Sequence, residues 1–429
     1  MTQAIDRVAE LAAGAALIGG ADQTLTEAQI GGFIAEQLAG TDLDGRSVCL
    51  VIPDGTRSSP LPLLLAAVHG ALAGRVTKLT AVVALGTHVA MSEQAIAKHL
   101  GYGEGGLEGT YPGMTVLNHE WADPETFVDL GTISAGRVAE LSGGLLAVPA
   151  IVALNRAVVD HDVALVIGPV FPHEVVGFSG GNKYFFPGIA GPQIIDLTHW
   201  VGALITSVEI IGTLGITPVR ALINEAAAMI PSDLLALCVV AKSGSHDLHA
   251  VSFGGTEEAW AAAAQISAKT HVRYLDAPMK RVVSLIPEKY EDIWTAAKGF
   301  YKLEPVVADG GEVILYAPHV KEISFVHKEI YEIGYHCRDY FVKQWDKFSG
   351  IHWGVLAHST HLRGAGTYDE VDGERCRVTV TLVTSIPEDK VRKANLGYIA
   401  PEDFDLAAYE ADPDTMVVPN AGEILFRLR

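Results

Sequence analysis

Three short segments concentrate the residue types that do chemistry. They are Asp54-Gly55-Thr56-Arg57, Gly86-Thr87-His88, and Pro172-His173-Glu174 running into Gly177-Phe178-Ser179-Gly180-Gly181-Asn182-Lys183. Each follows a short β-branched run, and ligands of open α/β sheets bind beyond the carboxyl ends of strands. An imidazole there titrates near neutral pH and can give or take a proton, which makes His88 and His173 acid/base candidates. In the third segment Ser179, Gly180 and Gly181 precede Lys183; such a loop can approach an anion with its N–H groups while the ammonium adds charge. A plain Gly-rich turn is the alternative for that loop taken alone. It is no Walker A loop, because Tyr184 follows Lys183 and the glycine spacing differs.

Weaker signals accompany these. His199 lies sixteen residues after Lys183, beside Trp200, on an expected helix. Trp294 and Lys298 stand four apart on the expected helix 292–303 and share a face, where a lysine lying along the surface is the preferred reading. His358, His361 and Arg363 end an expected strand, 353–358, as candidates for contacts to a longer or more polar substrate. The Gly101–Gly106 string matches G-x-G-x-x-G, but it follows a helix and reads as a loop, with no case for NAD. His246 and His249 read as a surface turn. No HExxH cluster occurs among the sixteen histidines, so an all-protein zinc site has little support.

The elements that must hold these residues are alternating strands and helices. Strands are expected at 47–53, 78–85, 163–168 and 234–241, and helices at 61–73, 93–99, 192–206 and 256–270. The alternation resumes past Pro278 with strands at 281–287, 312–317 and 377–386. The fold class is therefore α/β: two α/β domains with mainly parallel sheets, 1–275 and 276–429, and a cofactor and substrate cleft between them.

Composition narrows the partners. With 429 residues, 49% of them hydrophobic and 19% charged, the chain can bury large cores. A formal net charge of −20 disfavours nucleic acid and anionic membrane surfaces, so an anionic ligand needs local cations. Cys49, Cys238, Cys337 and Cys376 are far apart in sequence with no CxxC pair, which argues against a disulfide scaffold. Neither a signal peptide nor a membrane span is expected. A cytoplasmic protein acting on a small molecule fits best.

The DGTR, GTH and PHEVVGFSGGNKYFFPGIAGPQIIDLTH blocks together resemble the lactate racemase family that uses a nickel-pincer nucleotide. The resemblance implies that His88 and His173 are the two acid/base residues. It implies that Lys183 is covalently joined to the cofactor, nickel with pyridinium-3,5-bisthiocarboxylic acid mononucleotide, and that His199 is the metal ligand. Arg57 and Lys298 would bind substrate or cofactor, with Asp54, Ser179, Gly180, Gly181 and Trp294 around the cofactor. The activity implied is a 2-hydroxy acid racemase or epimerase, served by cofactor-making enzymes as partners. Family members often have proline after DxTR, where this chain has Ser58-Ser59. Lactate-specific members tend to carry Tyr-Gln where Trp294-Thr295 stand here, and both changes reshape the substrate pocket. The requirement is chemical: hydride needs a cofactor to accept it, and inversion from either enantiomer needs a base on each side. The alternatives are a non-catalytic cofactor carrier and a zinc-dependent hydrolase built on His88, His173 and His199.

Overall fold

The computed structural model describes residues 2–56 and 58–429, with the backbone alone for residues 2–6. Seven strands form the first sheet: β1 (Ala16–Gly19), β2 (Ser47–Pro53), β3 (Lys78–Ala84), β4 (Met114–Asn118), β5 (Val163–Pro169), β6 (Asp233–Ala241) and β7 (Leu248–Gly255). Their order is β1-β7-β6-β5-β2-β3-β4. From β6 to β4 all neighbours are parallel; β7 runs antiparallel to β6 and β1. Val48, Leu50 and Ile52 of β2 pack into a core with Ile30, Phe33 and Ile34 of the helix Glu27–Ala39 and Leu64, Leu65 and Val68 of the helix Leu61–Leu72. Cys49 and Val51 alternate to the opposite face and are also fully buried, so helices cover both faces. That double burial is why the strand reads as one continuous apolar run.

A second sheet follows, with β8 (Met279–Leu285), β9 (Val307–Ala317), β10 (Thr379–Thr384), β11 (Gly397–Ile399) and β12 (Thr415–Val418) in the order β11-β10-β9-β8-β12. Every neighbouring pair is parallel, around the buried Val283, Ile314 and Val383. The chain is thus mixed α/β with two mainly parallel sheets.

It divides into two compact units. The first comprises Met1–Phe171, Phe178–Ile195 and Leu214–Thr270; the second comprises Pro172–Gly177, Asp196–Thr213 and His271–Arg429. This departs from a single cut after residue 275. The main break falls at Thr270, and two short excursions carry His173 and His199 into the second unit. Neither excursion is flanked by a flexible linker, which is why composition gave no sign of them. No helix among the described residues is long and apolar enough to cross a membrane.

Two expected elements need correction. The segment 353–358 is not a strand; it begins the helix Trp353–Arg363, which ends at Gly364 with φ 80°. Residues Val355–Leu362 are all buried, so the polar–apolar rhythm that marks a surface helix is missing. The expected helix 292–303 is two short turns, Ile293–Ala296 and Lys298–Tyr301. Lys298 is buried there among apolar neighbours, so it does not lie along a solvated face.

Candidate active site

In the first unit the ends of β5, β2 and β3 lie side by side, since these strands are adjacent and parallel. The Asp54 carboxylate, buried just past β2, does two things. Its Oδ1 accepts the Thr56 N–H at 3.2 Å and the Thr56 hydroxyl at 2.6 Å, which closes the turn. Its Oδ2 stands 2.6 Å from His88 Nδ1. His88 is held from behind, its N–H donating to Leu85 at 2.9 Å and its carbonyl accepting from Trp121 Nε1 at 3.1 Å. A carboxylate at Nδ1 fixes the proton there and leaves Nε2 to exchange protons. The His88 side chain is 30% exposed, so a small molecule can reach it. Arg57 lies outside the described residues.

The Gly177–Lys183 loop is rigid for reasons the sequence did not display. Ser179 donates its N–H to the Phe171 carbonyl at 2.9 Å and its hydroxyl to the Pro169 carbonyl at 3.2 Å. Arg220, fully buried on the helix Pro218–Ala227, donates to the carbonyls of Phe178 at 2.6 Å and Gly180 at 3.3 Å. Its guanidinium lies 3.8 Å over the Trp260 ring. Burial lowers the Arg220 pKa to about 9, so it stays charged at neutral pH. Asn182 donates to Asn224 at 3.1 Å, and Asn224 to Glu257 at 2.7 Å.

A Cβ on Gly180 would come 2.5 Å from Val170 Cγ2, and one on Gly181 would come 2.8 Å from the Thr256 carbonyl. The Gly181 N–H is directed at the Cys238 sulfur. These glycines serve close packing of the loop on its own unit, and the loop's product is a fixed, half-buried Lys183 on the turn Gly181–Tyr184.

The second unit gathers the other candidates. His173 is buried, and its Nδ1 lies 3.2 Å from Glu174 Oε2 and 3.2 Å from the Val175 N–H nitrogen. His199 is half-buried on the helix Pro192–Ile205. His358 and His361 are buried on the helix Trp353–Arg363. Trp294 is stacked between two imidazoles, His358 with ring centroids 3.7 Å away and His327 at 4.2 Å. His358 Nε2 also lies 3.4 Å from the Tyr335 hydroxyl. His361 Nδ1 is 2.5 Å from Ser207 Oγ. Lys298 Nζ donates to the Thr295 carbonyl at 3.4 Å and lies 5.3 Å over the Tyr290 ring.

Electrostatics follow from this crowding. Burial pushes the His358 pKa well below its ordinary value, and His361, His327, Lys298 and His199 push the same way. Burial takes His361 down to about 4, against a raising contribution from Glu174. The second unit therefore offers neutral imidazole nitrogens, which suit a borderline transition metal, and the buried Lys298 ammonium, which suits a carboxylate.

Sequence reasoning missed Glu174 as the partner of His173, the stacking role of His327, and Arg220 with Trp260. The i+1 position of Glu174 was visible, but the other contacts span dozens of residues. His246 is exposed in a turn as expected, whereas His249 sits on β7, its Nδ1 against the Gln23 carbonyl. The Gly101–Gly106 string follows the helix Glu93–Leu100, closes it at Gly101 and leads into a five-residue helix, Gly106–Thr110, as a turn.

Comparison with known proteins adds family to geometry. Residues 33–209 match the family model of the lactate racemase N-terminal domain. That span contains Asp54, His88, His173, Lys183 and His199. The lactate racemase of Thermoanaerobacterium thermosaccharolyticum is 24% identical over 279 residues, 63% of this chain and 60% of that protein. The match thus spans somewhat less than two thirds of that relative. A crystal structure of a protein from Thermotoga maritima superposes with a TM-score of 0.86 at 33% identity, covering 96% of this chain and 100% of that one. The lactate racemase apoprotein of Thermoanaerobacterium thermosaccharolyticum superposes with a TM-score of 0.67 at 17% identity, covering 93% of each chain, which speaks to the fold. Motif, fold and family model agree: residues 33–209 match the lactate racemase N-terminal domain, and the chain is similar to the lactate racemase family.

Proposed function

We propose that the protein racemises or epimerises a 2-hydroxy acid, with His88 and His173 as the acid/base pair. The observation that carries this reading is the Asp54 carboxylate 2.6 Å from His88 Nδ1, with His173 oriented by the Val175 N–H that its Nδ1 accepts and Glu174 Oε2 3.2 Å away. A base that must accept a hydroxyl proton from one enantiomer and return it to the other needs an oriented ring, and a carboxylate at Nδ1 orients it. His88 would exchange its proton at Nε2, and His173, whose Nδ1 accepts the Val175 N–H, would present an Nε2–H to the substrate.

The residues present fit the nickel-pincer nucleotide. Lys183, fixed by the Arg220-braced loop, would carry it covalently, and His199, beside the neutral imidazoles of the second unit, would be the nickel ligand. When bound, the group supplies the hydride acceptor that no side chain provides. Lys298, with Arg57, would hold the substrate carboxylate, and Trp294 would keep water from the reacting carbon. Cofactor-making enzymes in the cytoplasm would be its partners. Among the described residues, the group of three ligand atoms within 4.8 Å of one another is Cys337, Glu374 and Cys376, not the three histidines of the zinc-hydrolase alternative. A carrier would need neither imidazole–carboxylate pair.

The test is to co-produce the chain with the cofactor-making enzymes and follow single-enantiomer 2-hydroxy acids by chiral chromatography. Interconversion that disappears in His88→Asn and His173→Asn, with the mass added at Lys183 retained, supports the reading. Undiminished interconversion in both variants, or no added mass at Lys183, overturns it.

A further inference from the structure

Cys337 and Cys376 are 39 positions apart in sequence and adjacent in the fold. Their sulfurs lie within 4.8 Å of each other. Cys337 is buried immediately before the helix Arg338–Val342. Cys376 is partly exposed at the end of the strand Gly373–Cys376, directly opposite Gly366 in a hairpin. A side chain at Gly366 would begin 3.0 Å from Cys337 Cβ and 3.0 Å from Cys376 Cα, so glycine is what lets the two cysteines meet.

Their surroundings favour thiol chemistry over metal binding. Both oxygens of Glu374 already hold donors: Oε1 takes the Cys337 N–H at 2.6 Å, and Oε2 takes His336 Nδ1 at 2.9 Å and Asn395 Nδ2 at 2.9 Å. The carboxylate therefore anchors the Cys337 backbone. The Cys337 thiol and then the Arg363 charge lower the Cys376 pKa, while Cys376 and then burial raise that of Cys337. Arg363, expected as a substrate contact, thus stands beside a thiol. The other two cysteines are fully buried, each pushed up to about 12.

We propose that Cys376 and Cys337 are an oxidation site for hydroperoxides, with Cys376 the attacking thiolate and Cys337 the resolving thiol. The Cys376 sulfur attacks the peroxide, forming an S–O bond and breaking the O–O bond. The leaving oxygen takes a proton and departs as water or alcohol, and Cys376 becomes a sulfenic acid. The Cys337 sulfur then attacks the Cys376 sulfur; the S–S bond forms, the S–O bond breaks, and hydroxide leaves as water with the Cys337 proton. Two thiols and one hydroperoxide give one disulfide, one alcohol or water, and one water. Low thiolate pKa, partial exposure and an adjacent resolving thiol are the properties that select such cysteines. The pair is also tied to the helix bearing His358 and His361, because Ser359 Oγ accepts the His336 N–H at 2.9 Å and donates to the Gly334 carbonyl at 2.8 Å.

The experiment exposes the reduced full-length protein to a small excess of hydrogen peroxide at neutral pH, with peptide mapping by mass spectrometry. A disulfide joining Cys337 to Cys376 should form faster than free cysteine in the same mixture is oxidised, because the resolving thiol is already in place. Cys49 and Cys238 should remain reduced. Cys337→Ser should accumulate a dimedone-trappable sulfenic acid at Cys376, and Cys376→Ser should give neither product. Oxidation spread evenly over the four cysteines, a pair that stays reduced when free cysteine has reacted, or a stoichiometric metal released on thiol modification would overturn the proposal. The wild-type mapping alone decides it if either serine variant fails to fold.

Discussion

Replacing His119 by Gln should flatten the acid side of the stability profile. His119 follows β4 and is fully buried, its ring edge-on to Phe127 with centroids 5.5 Å apart. Its Nδ1 accepts a hydrogen bond from Asn155 Nδ2 at 3.1 Å, a bond that a proton on Nδ1 would abolish. Burial lowers the pKa to about 4 from the ordinary 6.5. Between those values the unfolded chain binds a proton that the folded one refuses. The stability from this group is thus complete above 6.5 and lost as pH falls toward 4. At about pH 5 the loss works out at about 2 kcal/mol. His119→Gln keeps an acceptor for Asn155 and cannot titrate in this range. Urea unfolding followed by far-UV circular dichroism at about pH 7.5 and about pH 5 should show wild type losing about 2 kcal/mol more than the variant between the two. Equal losses in the two proteins would refute the assignment of His119 as a neutral buried imidazole.

Other substitutions test the site. Asp54→Asn places an amide donor against His88 Nδ1 and imposes the wrong tautomer; turnover by the loaded enzyme should fall on the order of 10³–10⁴-fold with the melting temperature little changed. Arg220→Met frees the carbonyls of Phe178 and Gly180, and the urea midpoint should report a loss of about 3 kcal/mol. Gly181→Ala forces an alanine into φ 57° against the Thr256 carbonyl, and the same measurement should show a loss of about 2 kcal/mol.

How much of this could be read beforehand depended on the range of the interaction. β2 matches its expected bounds residue for residue, because a strand buried on both faces is an uninterrupted apolar run closed by a proline and a turn. His88 and Lys183 stood out because an imidazole and an ammonium stand in glycine-containing loops just past strands. The helix Trp353–Arg363 was misread because burial on all sides removes the amphipathic rhythm. Arg220 looked like an ordinary helix residue; its role exists only through carbonyls 40 and 42 positions earlier in the chain. The same holds for Cys337 and Cys376, which share no motif and meet through a hairpin whose only sequence mark is Gly366.

The chain passes from one unit to the other at Phe171, Gly177, Ile195, Thr213 and Thr270. Exchanging the chain after residue 270 would therefore not exchange the whole second unit. A fragment starting at His271 would lack the stretches bearing His173 and His199, and one stopping at Thr270 would carry them with nothing of their own unit to fold on.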